Sequence, residues 1–258
     1  MVKHIMNSRL LEKLIGASFS ISIFFIIMFS SNGFNLFEFH ELITTPAIWA
    51  LFFGYGIISS IVIDCIGKFI PNFSASKQIM FYLLFGYLLF LVFMPIEYAL
   101  IAGTVGAFFS LLFLLGEKLK PLKWYSWIVL VVPLVCVVMI PFDHTSKVGW
   151  KEVARDTFVE VEYEYFNGEH LIPVHGEQGE KIYFDVKHHF NNGNSYGLSL
   201  YDENGNYSGM NEENDDVLSM DFKQAATKYI VVRAINGNQG QFQVKWWKEG
   251  EAEPAWTK

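Results

Sequence analysis

Two carboxylates, Asp64 and Glu97, stand in otherwise apolar sequence. A charge at mid-bilayer costs about 3 kcal/mol even on the gentlest scale, so such residues mark ion or proton paths by default. Both fall near the ends of apolar runs, Asp64 close to Lys68 and Glu97 beside Pro95. They are candidate intramembrane functional residues, with interfacial placement as the plainer alternative. His170, His175, His188 and His189 have ligating chemistry. Neighbours on a strand point to opposite faces, so His188 and His189 cannot easily share a ligand. Neither HExxH nor Cys/His spacing accompanies them. Asp202, Asn204 and Asn206, with Glu213, imitate part of a calcium loop, but Tyr207 stands where an EF-hand needs glycine. These four are weak calcium candidates beside the reading of Asn211 to Asp216 as a solvated acidic loop. No Ser/His/Asp nucleophile, phosphate loop or cofactor motif accompanies them, so no enzyme and no cofactor are expected.

The elements that position these residues divide into two unlike halves. Hydrophobic residues make up 52% of the chain and aromatic ones 17%. Residues 1–142 carry eight Lys/Arg and six Asp/Glu; residues 143–258 carry eleven and twenty, for net charges of +2 and −9. The acidic half argues against nucleic acid as partner, because phosphate binding needs clustered cations. Cys65 and Cys136 both lie in apolar runs and read as small packing residues. The second half has no cysteine, so a hydrophobic core must hold it.

Five apolar runs predict five transmembrane helices, at about 14–31, 46–66, 79–95, 98–116 and 124–141. Ile79 to Gly116 must be two of them, since one helix of that length would run ~57 Å through a ~30 Å core. Pro95-Ile96-Glu97 is the expected hairpin. The segment from Asn32 to Thr45, with Phe34, Leu36, Phe37 and Phe39, is expected on the outer membrane surface. In the fourth run Ala99, Gly103 and Ala107, and likewise Ala102, Gly106 and Ser110, recur every four residues, a spacing that lets helix backbones approach closely. Lys3, Arg9 and Lys13, then Lys68 and Lys77, then Lys118, Lys120 and Lys123 flank alternate ends of the runs. By the positive-inside rule the N-terminus is cytoplasmic and the second half extracytoplasmic, with Trp124, Tyr125 and Trp127 as an interfacial belt.

After a linker at 143–156, period-two alternation begins. Phe158, Val161, Tyr163 and Tyr165 interleave with Glu160, Glu162 and Glu164, with a slip near Val159. Further strands are expected at 182–186, 196–201, 229–234 and 241–247. Asn204-Gly205 reads as a type I′ hairpin turn and Asn236-Gly237-Asn238 as another turn. Six or seven short strands over 157–248, followed by a tail at 249–258, predict an all-β antiparallel sandwich. Gly179 to Val186, Leu198 to Gly205, Lys228 to Val232 and Gly240 to Val244 resemble, in order, the strand and turn motifs of the bacterial pre-peptidase C-terminal (PPC-like) sandwich. The resemblance covers roughly 170–247. It implies a jelly-roll-like accessory module of the kind found on secreted proteins, with a binding or stabilising role and no catalytic residues.

The expectation is therefore a bacterial, multi-pass plasma-membrane protein that displays an extracytoplasmic β-sandwich for binding or sensing. The alternative is a transporter or an accessory subunit of one. The lipid bilayer is the expected partner, with another membrane protein or a cell-surface glycan as further candidates. Trp246, Trp247, Tyr163, Tyr165, Tyr183, Tyr196 and Tyr201 supply aromatic rings for a glycan platform, although alternate ones must fill the core.

Overall fold

The computed structural model describes residues 2–119, 124–190, 195–214 and 217–256. Lys120 and Lys123, and Asp215 and Asp216 of the acidic loop, lie outside them. The chain separates into two compact units, Met1–Phe142 and Asp143–Lys258.

Among the described residues the regular elements of the first unit are all helical. Its elements are α1 (Val2–Ser31), α2 (Leu36–Thr44), α3 (Pro46–Trp49), a π-helical turn (Ala50–Tyr55), α4 (Gly56–Phe69), α5 (Ala75–Phe93), α6 (Ile96–Glu117) and α7 (Trp124–Met139). Among the described residues four spans are long and apolar enough to cross a membrane: Arg9–Ser31, Pro46–Phe69, Ala75–Phe93 and Ile96–Glu117. The fifth expected span is shorter. α7 has 16 residues and contains Pro133, which gives it a rise of about 24 Å against a ~30 Å hydrocarbon core. The chain leaves the helix before Pro141, whose ring cannot continue it.

The segment after α1 also differs from the surface loop expected. Asn35 caps α2 through its side chain, which accepts from Phe37 N and Glu38 N. Phe37, Phe39 and Ile43 of α2 are buried, whereas Phe34 and Leu36 stay exposed. Phe39 and Ile43 pack with Ile21, Phe25, Phe52 and Cys136. A helix forms here because a face of period 3.6 can be buried, which an extended loop would not present.

Glycines set the closest approaches. A Cβ on Gly86 of α5 would lie 2.6 Å from Ala107 Cα, and one on Gly106 would strike the Gly86 carbonyl oxygen. At the other end of α6, a Cβ on Gly116 would lie 2.9 Å from Gly16 Cα of α1. Side chains at these positions would force the helices apart, so the crossings exist because the side chains do not. Ala99, Gly103 and Ala107 are buried on α6, and Ala102, Gly106 and Ser110 are partly buried.

Among the described residues the second unit is a curled, antiparallel eight-stranded sheet: β1 (Ser146–Val148), β2 (Lys151–Arg155), β3 (Phe158–Gly176), β4 (Lys181–Phe190), β5 (Ser195–Tyr201), β6 (Asn211–Glu212), β7 (Val217–Asp221) and β8 (Ala226–Lys248). Residues 146–148 and 151–155, read from sequence as linker, are strands on the edge of β3. The frame is one pair of long strands, not many short ones. β3 pairs with β8 along nearly its whole length, with a register shift between Phe166 and Gly168. Asn236-Gly237-Asn238 is therefore no hairpin turn but lies within β8, opposite that shift. Asn236 takes a φ of +51°, and its N–H donates to Asn167 Oδ1 at 3.1 Å. The bulge bends the pair, so that β5 completes one half of β8 and β4 the other.

Asn204-Gly205 does form a turn, of a different type. Only Gly205 of the two has positive φ (+76°), and its N–H donates to Asp202 O at 3.0 Å. The inward row of β3 runs Val159, Val161, Tyr163, one residue out of step with the expected Phe158. Inside the curl these pack with Ile172, Val174, Ile182, Phe184, Leu200, Met220, Ile230, Val232, Phe242 and Val244.

Candidate functional site

The densest chemistry among the described residues lies at one end of the helical unit. Lys13 Nζ is 2.7 Å from Asp64 Oδ2 and 2.9 Å from Glu117 Oε1. Glu117 Oε1 also accepts a short hydrogen bond from Ser60 Oγ. Its Oε2 accepts from Tyr82 OH at 2.8 Å, and Ser60 Oγ and Tyr82 OH are 2.7 Å apart. One cluster thus joins α1, α4, α5 and α6.

Local sequence explains each placement. Lys13 sits one turn before Gly16, where α1 and α6 cross closely, and Glu117 follows Gly116 on the opposing side. Ser60 and Asp64 are four residues apart and share a face of α4. Tyr82 lies four residues before Gly86 and so projects into the α5–α6 contact; Ser110 Oγ donates to the Tyr82 carbonyl at 2.8 Å. The Lys13 and Glu117 side chains are 8% and 9% exposed, whereas Asp64 is 37% exposed. The buried pair is therefore Lys13–Glu117, and Asp64 is its link to solvent.

Asp64, Lys13 and Glu117 line a cleft of about 470 Å³ together with Arg9, Lys68 and Lys118. On the other side of Tyr82 lies an apolar cavity of about 130 Å³ walled by Phe24, Phe52, Phe85, Phe109 and Phe113. The π-helical turn contributes Leu51, Phe52 and Tyr55 to that wall. Chemically, the cluster holds a fixed cation between two carboxylates and passes hydrogen bonds from the cleft to the cavity wall.

Glu97, the second carboxylate singled out, stands apart from this network. It is exposed in the first turn of α6, where its charge suits the positive end of the helix dipole. Glu117, Ser60 and Tyr82 were not legible as a site. The available signal was charge complementarity at one depth: Lys13, Asp64 and Glu117 all terminate runs at the end flanked by lysines.

In the sheet unit three of the calcium candidates, Asp202, Asn204 and Asn206, share one loop. Asp202 Oδ1 accepts from the N–H groups of Asn204 and Asn206 at 2.9 and 2.8 Å, so the carboxylate closes its own loop. These bonds hold it below the ordinary carboxylate range. Glu213 instead binds Lys181 Nζ and accepts from Ser219 Oγ, each at 2.7 Å. Among the described residues no group of three or more His, Cys, Asp or Glu side chains converges for a metal.

The histidines also scatter. His175 Nδ1 meets Thr227 Oγ1 at 2.8 Å and His189 Nδ1 meets the His188 carbonyl at 2.9 Å. His170 Nδ1 lies 3.0 Å from Lys147 Nζ, with the Trp150 ring 4.9 Å away. Burial, then the Lys147 charge, holds His170 down at about 4. Burial, then His189, does the same for His188, whose ring lies tilted against Tyr196 with centroids 3.8 Å apart.

Of the aromatic rings, Tyr163 and Trp247 are buried and Tyr196 is exposed. Tyr163 stacks on Trp150, over which Lys147 sits at 4.4 Å. Tyr183 stacks on Trp247 across the β4–β8 pair.

No protein-family model matches the chain, and comparison with curated proteins gives no match.

Proposed function

We propose that the chain is an integral plasma-membrane protein of a bacterium whose helices anchor the β unit outside the cell, where it binds or senses rather than catalyses. The observation that supports this is the division at Phe142/Asp143 into an apolar helical unit and an acidic β unit with a core of its own. The motif order in β4, β5 and β8 supports likeness of that unit to the PPC-like sandwich. In this reading α7, together with the non-helical residues Ile140 to Phe142 that follow it, crosses as a fifth span. That step decides the side: four spans return the chain to the cytoplasm, and five carry it out.

The test is cysteine labelling in a background lacking Cys65 and Cys136. Asn204→Cys should react with an impermeant maleimide on intact cells, and Ser76→Cys should react only after lysis. The opposite pattern removes the display reading.

A second reading, a transporter or its accessory subunit, rests on the Lys13–Asp64–Glu117 cluster between a charged cleft and an apolar cavity. Asp64→Asn and Glu117→Gln separate the two. A lost transport phenotype with Asn204→Cys still labelled from outside selects transport; an unchanged phenotype selects the anchor.

A further inference from the structure

The outer face of β3, β8 and β4 carries Phe158, Lys245 and Asp185 as directly opposed neighbours. Lys245 is 1% exposed, unusual for lysine on the outside of a sheet. Residues after β8 account for that burial. Lys245 Nζ donates to Glu253 Oε1 at 2.5 Å and to the Pro254 carbonyl at 3.1 Å, with Asp185 Oδ2 farther off at 3.8 Å. The Trp256 ring lies between two cations, 4.1 Å from Lys245 Nζ and 4.4 Å from Lys187 Nζ. Its edge meets Phe158. Lys245 and Lys187 flank the Trp256 ring on this face, which also carries Asp185, in a unit that is otherwise strongly acidic.

We propose that this face is a peptide-binding groove, that its ligand is an acidic–aromatic segment of a partner protein with a glutamate three residues before a tryptophan, and that Glu253 to Trp256 occupy it in cis. This rests on the binding role proposed for the β unit and names its ligand class.

Charge and ring geometry argue for exchange. Glu253 is 53% exposed and Trp256 only partly buried, so water reaches the segment's side of each contact. The segment leaves β8 through a turn in which Gly250 has a φ of +86° and Glu251 N–H donates to Lys248 O at 3.0 Å. Displaced, it leaves Lys245 Nζ with Asp185 Oδ2 3.8 Å away, so the cation keeps an anionic partner. Held in cis, it competes at a millimolar effective concentration, which masks the groove from weak ligands.

The probe is a fluorescent peptide of residues 249–256, titrated by anisotropy against the detergent-solubilised chain. A chain ending at Glu249 should bind it saturably, at least about tenfold more tightly than the intact chain. Lys245→Gln in that chain, or Trp256→Ala in the peptide, should abolish binding. A truncated chain that keeps its β circular dichroism and binds no peptide overturns the groove, and leaves the display reading to stand or fall on labelling at Asn204. If truncation unfolds the unit, intact Glu253→Gln/Trp256→Ala should take up the peptide instead, and failure there has the same force. A concentration-dependent dimer of the intact chain that dissociates on adding peptide would assign the groove to a second copy and overturn the partner.

Discussion

Lys13 Nζ lies 2.9 Å from Glu117 Oε1 across the close α1–α6 crossing, with both side chains nearly buried. Removing the cation leaves two carboxylates facing each other. Lys13→Met should therefore cost about 3–5 kcal/mol, read as a lower midpoint in detergent unfolding. Lys13→Met/Glu117→Gln should recover part of that loss, because the cycle removes both members of the pair. Glu97→Gln, at an exposed position on α6, should shift the midpoint little. An equal loss from Glu97→Gln would contradict the burial assigned to the cluster.

The α5–α6 contact predicts an ordering among glycine variants. Gly86→Val and Gly106→Val should each separate the helices and lower the folded yield severely. Gly54→Ala, where an added Cβ meets nothing within 4 Å, should be tolerated. Comparable yields for all three would show that the crossing is not limited by backbone approach.

Acid should weaken the β unit through His170 and His188. Both sit near 4 when folded, against an ordinary 6.5. Between those values the unfolded chain binds protons that the folded chain refuses. Stability should thus be flat in these groups above pH 6.5 and fall toward pH 4, by at most roughly 1.4 kcal/mol per pH unit per histidine. Trp150 fluorescence, with its ring beside His170, follows the transition. His170→Gln should flatten the slope by about half; an unchanged slope would remove His170 as its source.

Fragment boundaries matter for the same unit. Residues 143–258 should fold alone as a soluble, cooperatively melting β protein. Residues 157–248 should be markedly less stable, since they lose β1, β2 and Trp150, which packs on the core, and expose Lys245. Equal melting of the two fragments would show that these edge pieces contribute nothing.

The sequence alone determined what depends on local pattern. Long apolar runs, the hairpin at Pro95 and the small-residue spacing on α6 were legible because a hydrocarbon core demands length and close packing demands small side chains. Period-two alternation likewise announced a β unit. Only the tertiary structure decided the rest. Glu117 became part of a site because Gly16 and Gly116 let α1 approach α6, and no local pattern couples residues so far apart. Asn236 to Asn238 looked like a turn because Asn and Gly accept positive φ, but the same tolerance serves a bulge when a long partner strand lies opposite. Phe158 faces outward because it packs near Trp256, and Val159 takes the inward row. Local chemistry specifies which conformations a residue can adopt; the distant chain that packs against it selects one of them.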